Sequence, residues 1–182
     1  SGFRGNSVEG SNPSPSATTA RGQNHPMTTR YYLWTVGCQM NRADSEKLAA
    51  GFDRMGLKAT DRIERADIVV LNTCSVRQHA EDRAYSKLGR VRDLKKANPA
   101  LKVALMGCMV GLKTDDLKKR FPQVDAFARP QQFEPIIELI EGPVEDLGGE
   151  FWPSTYAIPE GPAAFVPVVH GCNKFCTYCI VP

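Results

Sequence analysis

The apolar residues of this chain come in short runs separated by amphipathic stretches. YYLWTVG (Tyr31 to Gly37) is aromatic and β-branched, which predicts a buried strand. Leu48, Phe52 and Met55 then recur on one helical face, so a helix is expected through Met55 with Asn41 as its N-cap. A short strand is expected around Leu57 to Thr60, after Gly56. ADIVVLNTC (Ala66 to Cys74) is almost continuously apolar, the pattern of a strand covered on both faces. Gln78 to Ala97 reads as a long helix ended by Asn98-Pro99, and LKVALMGC (Leu101 to Cys108) as another buried strand. A helix from Thr114 to Arg120, a strand near Val124 to Ala128 and a helix over Gln131 to Gly142 close the series, with Pro135 in that helix's first turn.

Strands alternating with helices imply right-handed crossovers. The expected fold class is therefore α/β, a parallel sheet with helices on both faces, over residues 27–142. Pro and Gly dominate residues 143–162, which read as a linker. AAFVPVV (Ala163 to Val169) is expected to be the first strand of a second domain beginning in 163–182. Residues 1–26 are rich in Gly, Ser, Pro, Asn and Thr without apolar periodicity, so they read as a disordered leader. Written back into codons, VEGSNPSPSAT accommodates GAG GGT TCG AAT CCC, which looks like the T-arm of a transfer RNA gene. An upstream RNA gene read in frame, with Met27 as the true start, is the expectation; an ordinary flexible leader is the alternative.

Composition narrows the setting. With 182 residues and 42% hydrophobic content, the chain can bury one good core and the start of another. A net charge of +3 is too weak by itself to announce a nucleic-acid partner. No apolar run approaches the ~18 residues of a membrane span, and residues 1–26 lack the apolar core of a signal peptide. Six cysteines in such a chain read as metal ligands or catalytic thiols rather than disulfides, and the cytoplasm is the expected compartment.

The cysteines fall into two sets. Cys38, Cys74 and Cys108 each follow or end a predicted strand, and in a parallel sheet those strand ends share one edge, where ligands bind. Each strand end also leads towards a helix N-terminus, which favours thiolate. Three small buried strand residues would be the plainer reading. Cys172, Cys176 and Cys179 form a local C-x3-C-x2-C loop beside Gly171, with Phe175 and Tyr178 to shield it. Three thiolates suit an iron–sulfur cubane with one open iron, or zinc with an open fourth position. A zinc site would need a fourth ligand; His170 is awkwardly adjacent, while His25 and His79 are distant in sequence and read as surface residues.

These motifs carry a resemblance. CNKFCTYC is similar to the signature of radical S-adenosylmethionine enzymes, and TVGCQMNRADSE, LNTCSVR and ALMGC resemble the N-terminal domain of the methylthiotransferases. GCQMN, NTCSVR and GCNKFCTYCIVP resemble best the MiaB type, which makes 2-methylthio-N6-isopentenyladenosine in transfer RNA. The neighbours Gln39, Met40 and Ser75 differ from those usual in the branches acting on ribosomal protein or on threonylcarbamoyladenosine.

The resemblance implies that Cys172, Cys176 and Cys179 hold a 4Fe-4S cluster that binds S-adenosyl-L-methionine and generates a radical. It implies that Cys38, Cys74 and Cys108 hold an auxiliary 4Fe-4S cluster for sulfur insertion at C2 of the adenine at position 37. The implied partners are tRNA bearing N6-isopentenyladenosine-37 and an electron donor such as flavodoxin or ferredoxin; a monomer away from membranes is expected. The family continues beyond this motif with a radical barrel, so the chain is expected to be the front part of an enzyme and inactive alone.

Other residues have plainer readings. The helix carrying Arg77, Arg83, Lys87, Arg90, Arg92, Lys95 and Lys96 reads as a solvated face, with phosphate contact as the alternative. Asn41 and Asn72 are assigned capping and turn roles, and Trp34 and Trp152 packing roles. Two other functions compete: a zinc-binding interaction module without a reaction, and a methylthiotransferase acting on another tRNA adenosine or a ribosomal protein.

Overall fold

The computed structural model of the chain describes residues 29–75 and 78–143, with Thr177 alone beyond them. β1 (Arg30–Thr35) leads into α1 (Gln39–Arg54), and β2 (Lys58–Ala59) follows. The connection onward holds only a single 3-10 turn, Ile63–Arg65, before β3 (Ile68–Thr73). Next come α2 (Gln78–Ala97), β4 (Lys102–Gly107), α3 (Cys108–Arg120), β5 (Ala126–Ala128) and α4 (Glu134–Glu141). All five strands are parallel, in the order β2-β1-β3-β4-β5. The α/β expectation holds.

The period-two geometry of β3 and β4 feeds two cores at once. Val69, Leu71, Val103 and Leu105 point to one face, against Ala84, Leu88 and Val91 of α2 and Met109 and Leu117 of α3. Ile68, Val70, Ala104 and Met106 point to the other, against Leu48 and Phe52 of α1 and Ile136, Ile137 and Ile140 of α4. That is why both strands read as almost continuously apolar runs. β1 is clothed differently. α1 packs on one of its faces, and no α-helix in the β2-to-β3 connection covers the other. There Tyr32 and Trp34 stay half-buried.

Three boundaries depart from the sequence expectation. The α1 N-cap is Cys38, and Asn41 sits at the third helical position instead. α3 begins at Cys108 rather than Thr114, because Gly107, at φ 102°, turns the strand directly into the helix with no linker. α4 starts at Glu134 after Gln131 takes a left-handed φ of 65°, with its proline in the first turn as expected. Among the described residues no helix is long and apolar enough to cross a membrane. The leader, the linker, Trp152 and the Ala163 to Val169 strand lie outside the described residues.

Candidate metal centre

The sheet order reverses at β1: β2 lies on one side and β3 on the other. Crossovers then diverge to opposite faces, and a crevice opens at the carboxyl ends of β1 and β3. Cys38 follows β1, Cys74 follows β3, and Cys108 is the first residue after β4. Three adjacent strands thus deliver the three cysteines to one edge. Cys74 is buried, while Cys38 and Cys108 are partly exposed.

Their surroundings interact. Burial pushes the Cys108 thiol up from its ordinary value, and the neighbouring Cys74 and Cys38 charges push it further, followed by the Asp44 carboxylate; a backbone hydrogen bond opposes them. Electrostatically, then, the three sulfurs share one locale. Among the described residues no set of three His, Cys, Asp or Glu side chains is gathered as for a single ion. An iron–sulfur cubane takes each cysteine on a separate iron, so it asks for thiolates spread around a volume. The donor chemistry and the shared edge fit such a group.

A buried polar network ties the three strand ends together. Cys38 donates both its N–H (3.2 Å) and its thiol (3.3 Å) to Asn41 Oδ1. Asn41 Nδ2 in turn donates to Asn72 Oδ1 at 2.9 Å and to the Thr73 carbonyl at 3.1 Å. Asn72 Nδ2 returns the connection, to the Asn41 carbonyl at 2.7 Å and to Ser45 Oγ at 2.9 Å. Ser45 also pairs with Thr35 at the end of β1 (2.7 Å), and the Thr73 hydroxyl donates to the Met106 carbonyl of β4 (2.9 Å). Asn41 and Asn72 are 2% and 0% exposed, so each of these bonds replaces water that cannot reach them.

Two glycines let the backbones close in. A Cβ on Gly107 would lie 2.2 Å from the Thr73 carbonyl oxygen, and one on Gly37 would lie 2.7 Å from Cys74 Cβ. Both positions also have positive φ, 102° and 149°. Each cysteine of this set is therefore flanked by a close approach that only glycine permits, or is itself the group approached.

The capping role read for Asn41 holds in altered form, since it caps from the third helical position and also joins Asn72. Sequence reasoning missed the network, with Ser45, Thr35 and Thr73. The signal available was the polar pair Asn72-Thr73 inside an otherwise apolar buried run. The hydroxyl of Ser75, next to Cys74, is buried with no partner among the described residues. His79 is exposed, as expected of a surface residue. Trp34 packs against core residues, as read, though it stays half-buried. On α2, Arg90 pairs with Glu64, Arg92 with Asp93 and Lys95 with Asp125. Cys172, Cys176, Cys179, His170, His25 and Arg77 lie outside the described residues.

Residues 30–128, from β1 to the end of β5, match the family described as Uncharacterized protein family UPF0004. The chain belongs to that family. It is also similar to proteins named tRNA-2-methylthio-N(6)-dimethylallyladenosine synthase. The one from Dictyoglomus thermophilum is 39% identical over 163 residues, covering 84% of this chain and 37% of the relative. That from Dehalococcoides mccartyi strain BAV1 is 42% identical over 154 residues, covering 84% and 34%. The Roseiflexus protein is 40% identical over 158 residues, covering 86% and 33%. The chain spans about a third of the length of these curated relatives. The UPF0004 match contains Cys38, Cys74 and Cys108 together with every residue of the polar network.

Proposed function

We propose that this chain is part of a transfer RNA methylthiotransferase that acts on C2 of N6-isopentenyladenosine at position 37. The observation that carries the reading is the convergence of Cys38, Cys74 and Cys108 on one sheet edge, in a chain about 40% identical to enzymes named for that product. Cys38, Cys74 and Cys108 would hold an auxiliary 4Fe-4S cluster, and Cys172, Cys176 and Cys179 a second one that binds S-adenosyl-L-methionine. Bound, the two groups supply sulfur and radical chemistry respectively.

The chain's own residues supply position. Asn41 fixes the Cys38 loop by accepting from its N–H and thiol, and Asn72 locks that loop to the end of β3. Binding iron requires thiolate, so loading would have to overcome the burial that favours the protonated Cys108 thiol. The Cys38 thiol also donates to Asn41, and ligation would free that amide oxygen for the backbone N–H alone.

Anaerobic reconstitution tests the reading. About eight irons and eight sulfides per chain are expected for two such clusters, falling to about four of each in a Cys38→Ala, Cys74→Ala, Cys108→Ala variant. A colourless protein with stoichiometric zinc would instead make it a structural metal module. In the host, deletion of the gene should abolish the methylthio group on isopentenyladenosine in total tRNA nucleosides; unchanged nucleosides would move the enzyme to another substrate.

A further inference from the structure

The geometry points to a second binding surface: the cleft between β1 and the first half of α2 takes the phosphodiester backbone of the substrate RNA. This inference rests on the reading that the substrate is a transfer RNA. It begins with the missing crossover helix. Because the β2-to-β3 connection is a 3-10 turn, one face of β1 is left open beside α2. Two cavities lie along this opening, one of about 510 Å³ and one of about 290 Å³, and they share Arg83. The larger is lined by Gly37, Arg42, His79 and Arg83, and the smaller by Trp34, Ser86, Lys87 and Arg90. Among the described residues no carboxylate lines either one.

The cations here are in an unusual state. Elsewhere on α2, Arg92 and Lys95 are neutralised by Asp93 and Asp125. Among the described residues Arg42, Arg83 and Lys87 have no carboxylate partner. Instead Lys87 Nζ lies 5.3 Å from the Tyr32 ring centroid and 5.4 Å from that of Trp34, and the Arg83 guanidinium lies 5.9 Å from Trp34. The aromatic floor holds these charges over the sheet without cancelling them.

Arg83, Lys87 and Arg90 stand at i, i+4 and i+7 on α2, a single stripe of about 10 Å. The Arg90–Glu64 pair closes its lower end against the 3-10 turn. The upper end opens at Gly37, one residue before Cys38. A strand lying in the channel would therefore meet guanidinium, ammonium, amide and hydroxyl donors along its phosphates and run out at the cysteine edge. A basic cleft with Trp34 in its wall fits one polynucleotide strand better than the broad contact a folded acidic protein needs.

Binding of two fluorescent RNAs, an isopentenylated anticodon stem–loop and an unmodified single strand, tests this by anisotropy at ~50 and ~200 mM salt. The double variant Arg83→Glu, Lys87→Glu should weaken both RNAs about tenfold or more. It should also flatten the plot of log affinity against log salt by about 1.4, the share of two phosphate contacts. Lys119→Glu, on the exposed side of α3, should leave both unchanged. The charge-conserving Arg83→Lys, Lys87→Arg variant should bind nearly as the unaltered protein does, and thermal melts check that all are folded.

Equal losses in the Lys119 variant, no RNA binding by the unaltered protein, or loss of an acidic flavodoxin with RNA affinity intact would each overturn the cleft. Iron content separates this outcome from the fate of the enzyme reading. If the unaltered chain takes up no iron and the double variant still loses RNA, the cleft stands and the cluster assignment falls.

Discussion

The two halves of β3 are equally buried and differently used. Val69, Val70 and Leu71 are fully enclosed and pack alternately into the two apolar cores. Asn72 and Thr73 are enclosed just as completely, yet their side chains reach across to α1 and β4 through hydrogen bonds. Apolar packing tolerates small displacements, because dispersion has no direction and neighbouring chains can shift. A buried amide tolerates few, since each donor must find its acceptor or remain desolvated. One half of the strand holds the sheet together, and the other fixes where its ends lie.

That division can be broken by substitution. Gly107→Ala should cost the most, about 4 kcal/mol by urea denaturation, since it adds backbone strain to a clash with the Thr73 carbonyl. A loss below about 1 kcal/mol would mean the two strand ends are not in contact as described. Leu71→Ala should cost about 3 kcal/mol from the apolar half while leaving iron retention after reconstitution close to normal.

Asn72→Leu sharpens the contrast. It should cost about 2 kcal/mol, less than Leu71→Ala, yet reduce iron retention more, because Asn41 and Ser45 lose partners beside Cys38. If iron loss instead tracks stability across both variants, the polar half has no separate positioning role.

The smallest effect lies at the opposite edge of the sheet, where Tyr31 is buried against Phe52 and its hydroxyl donates to Asp53 at 3.3 Å. Burial, with the Asp53 charge second, raises its pKa from 10.0 to about 12. Its contribution to stability is thus complete below pH 10 and disappears as pH climbs through 12. Phenolate absorbance should titrate near that upper value. Tyr31→Phe should cost about 1 kcal/mol at neutral pH and remove this alkaline component; an ordinary titration in the folded protein would refute the burial argument.

The sheet was legible because β3 and β4 are enclosed on both faces, and enclosure writes itself as continuous apolar sequence. The long helix after β3 was read with its bounds intact, since Asn98-Pro99 stops it. The start of α3 was not. MGCMVGL passes from strand to helix without a polar cap, and the turn depends on the φ of Gly107, which composition does not display.

The site was half legible. Strand-end cysteines could be placed on one edge from topology alone, but the Asn41–Asn72 pairing joins residues 31 apart and leaves no local pattern. Likewise, a basic helix looked evenly solvated. Only the fold distinguishes Arg92 and Lys95, which face acids, from Arg83 and Lys87, which lie over aromatic rings.

The wide sequence spacing of Cys38, Cys74 and Cys108 has a consequence for the order of events as the protein matures. Their separations are 36 and 34 residues, and apart from the Cys38–Asn41 turn, the bonds that seat them join segments at least ten residues apart. A zinc finger gathers its ligands from a short stretch, so its metal can nucleate the fold. Here β1, β3 and β4 must pair first, after the loop-closure entropy of two long connections has been met. The cysteines become neighbours only once the sheet exists. On the proposed cluster reading, iron delivery to this edge is accordingly a late step, gated by folding, and a newly made chain offers these three thiols singly until that gate has opened.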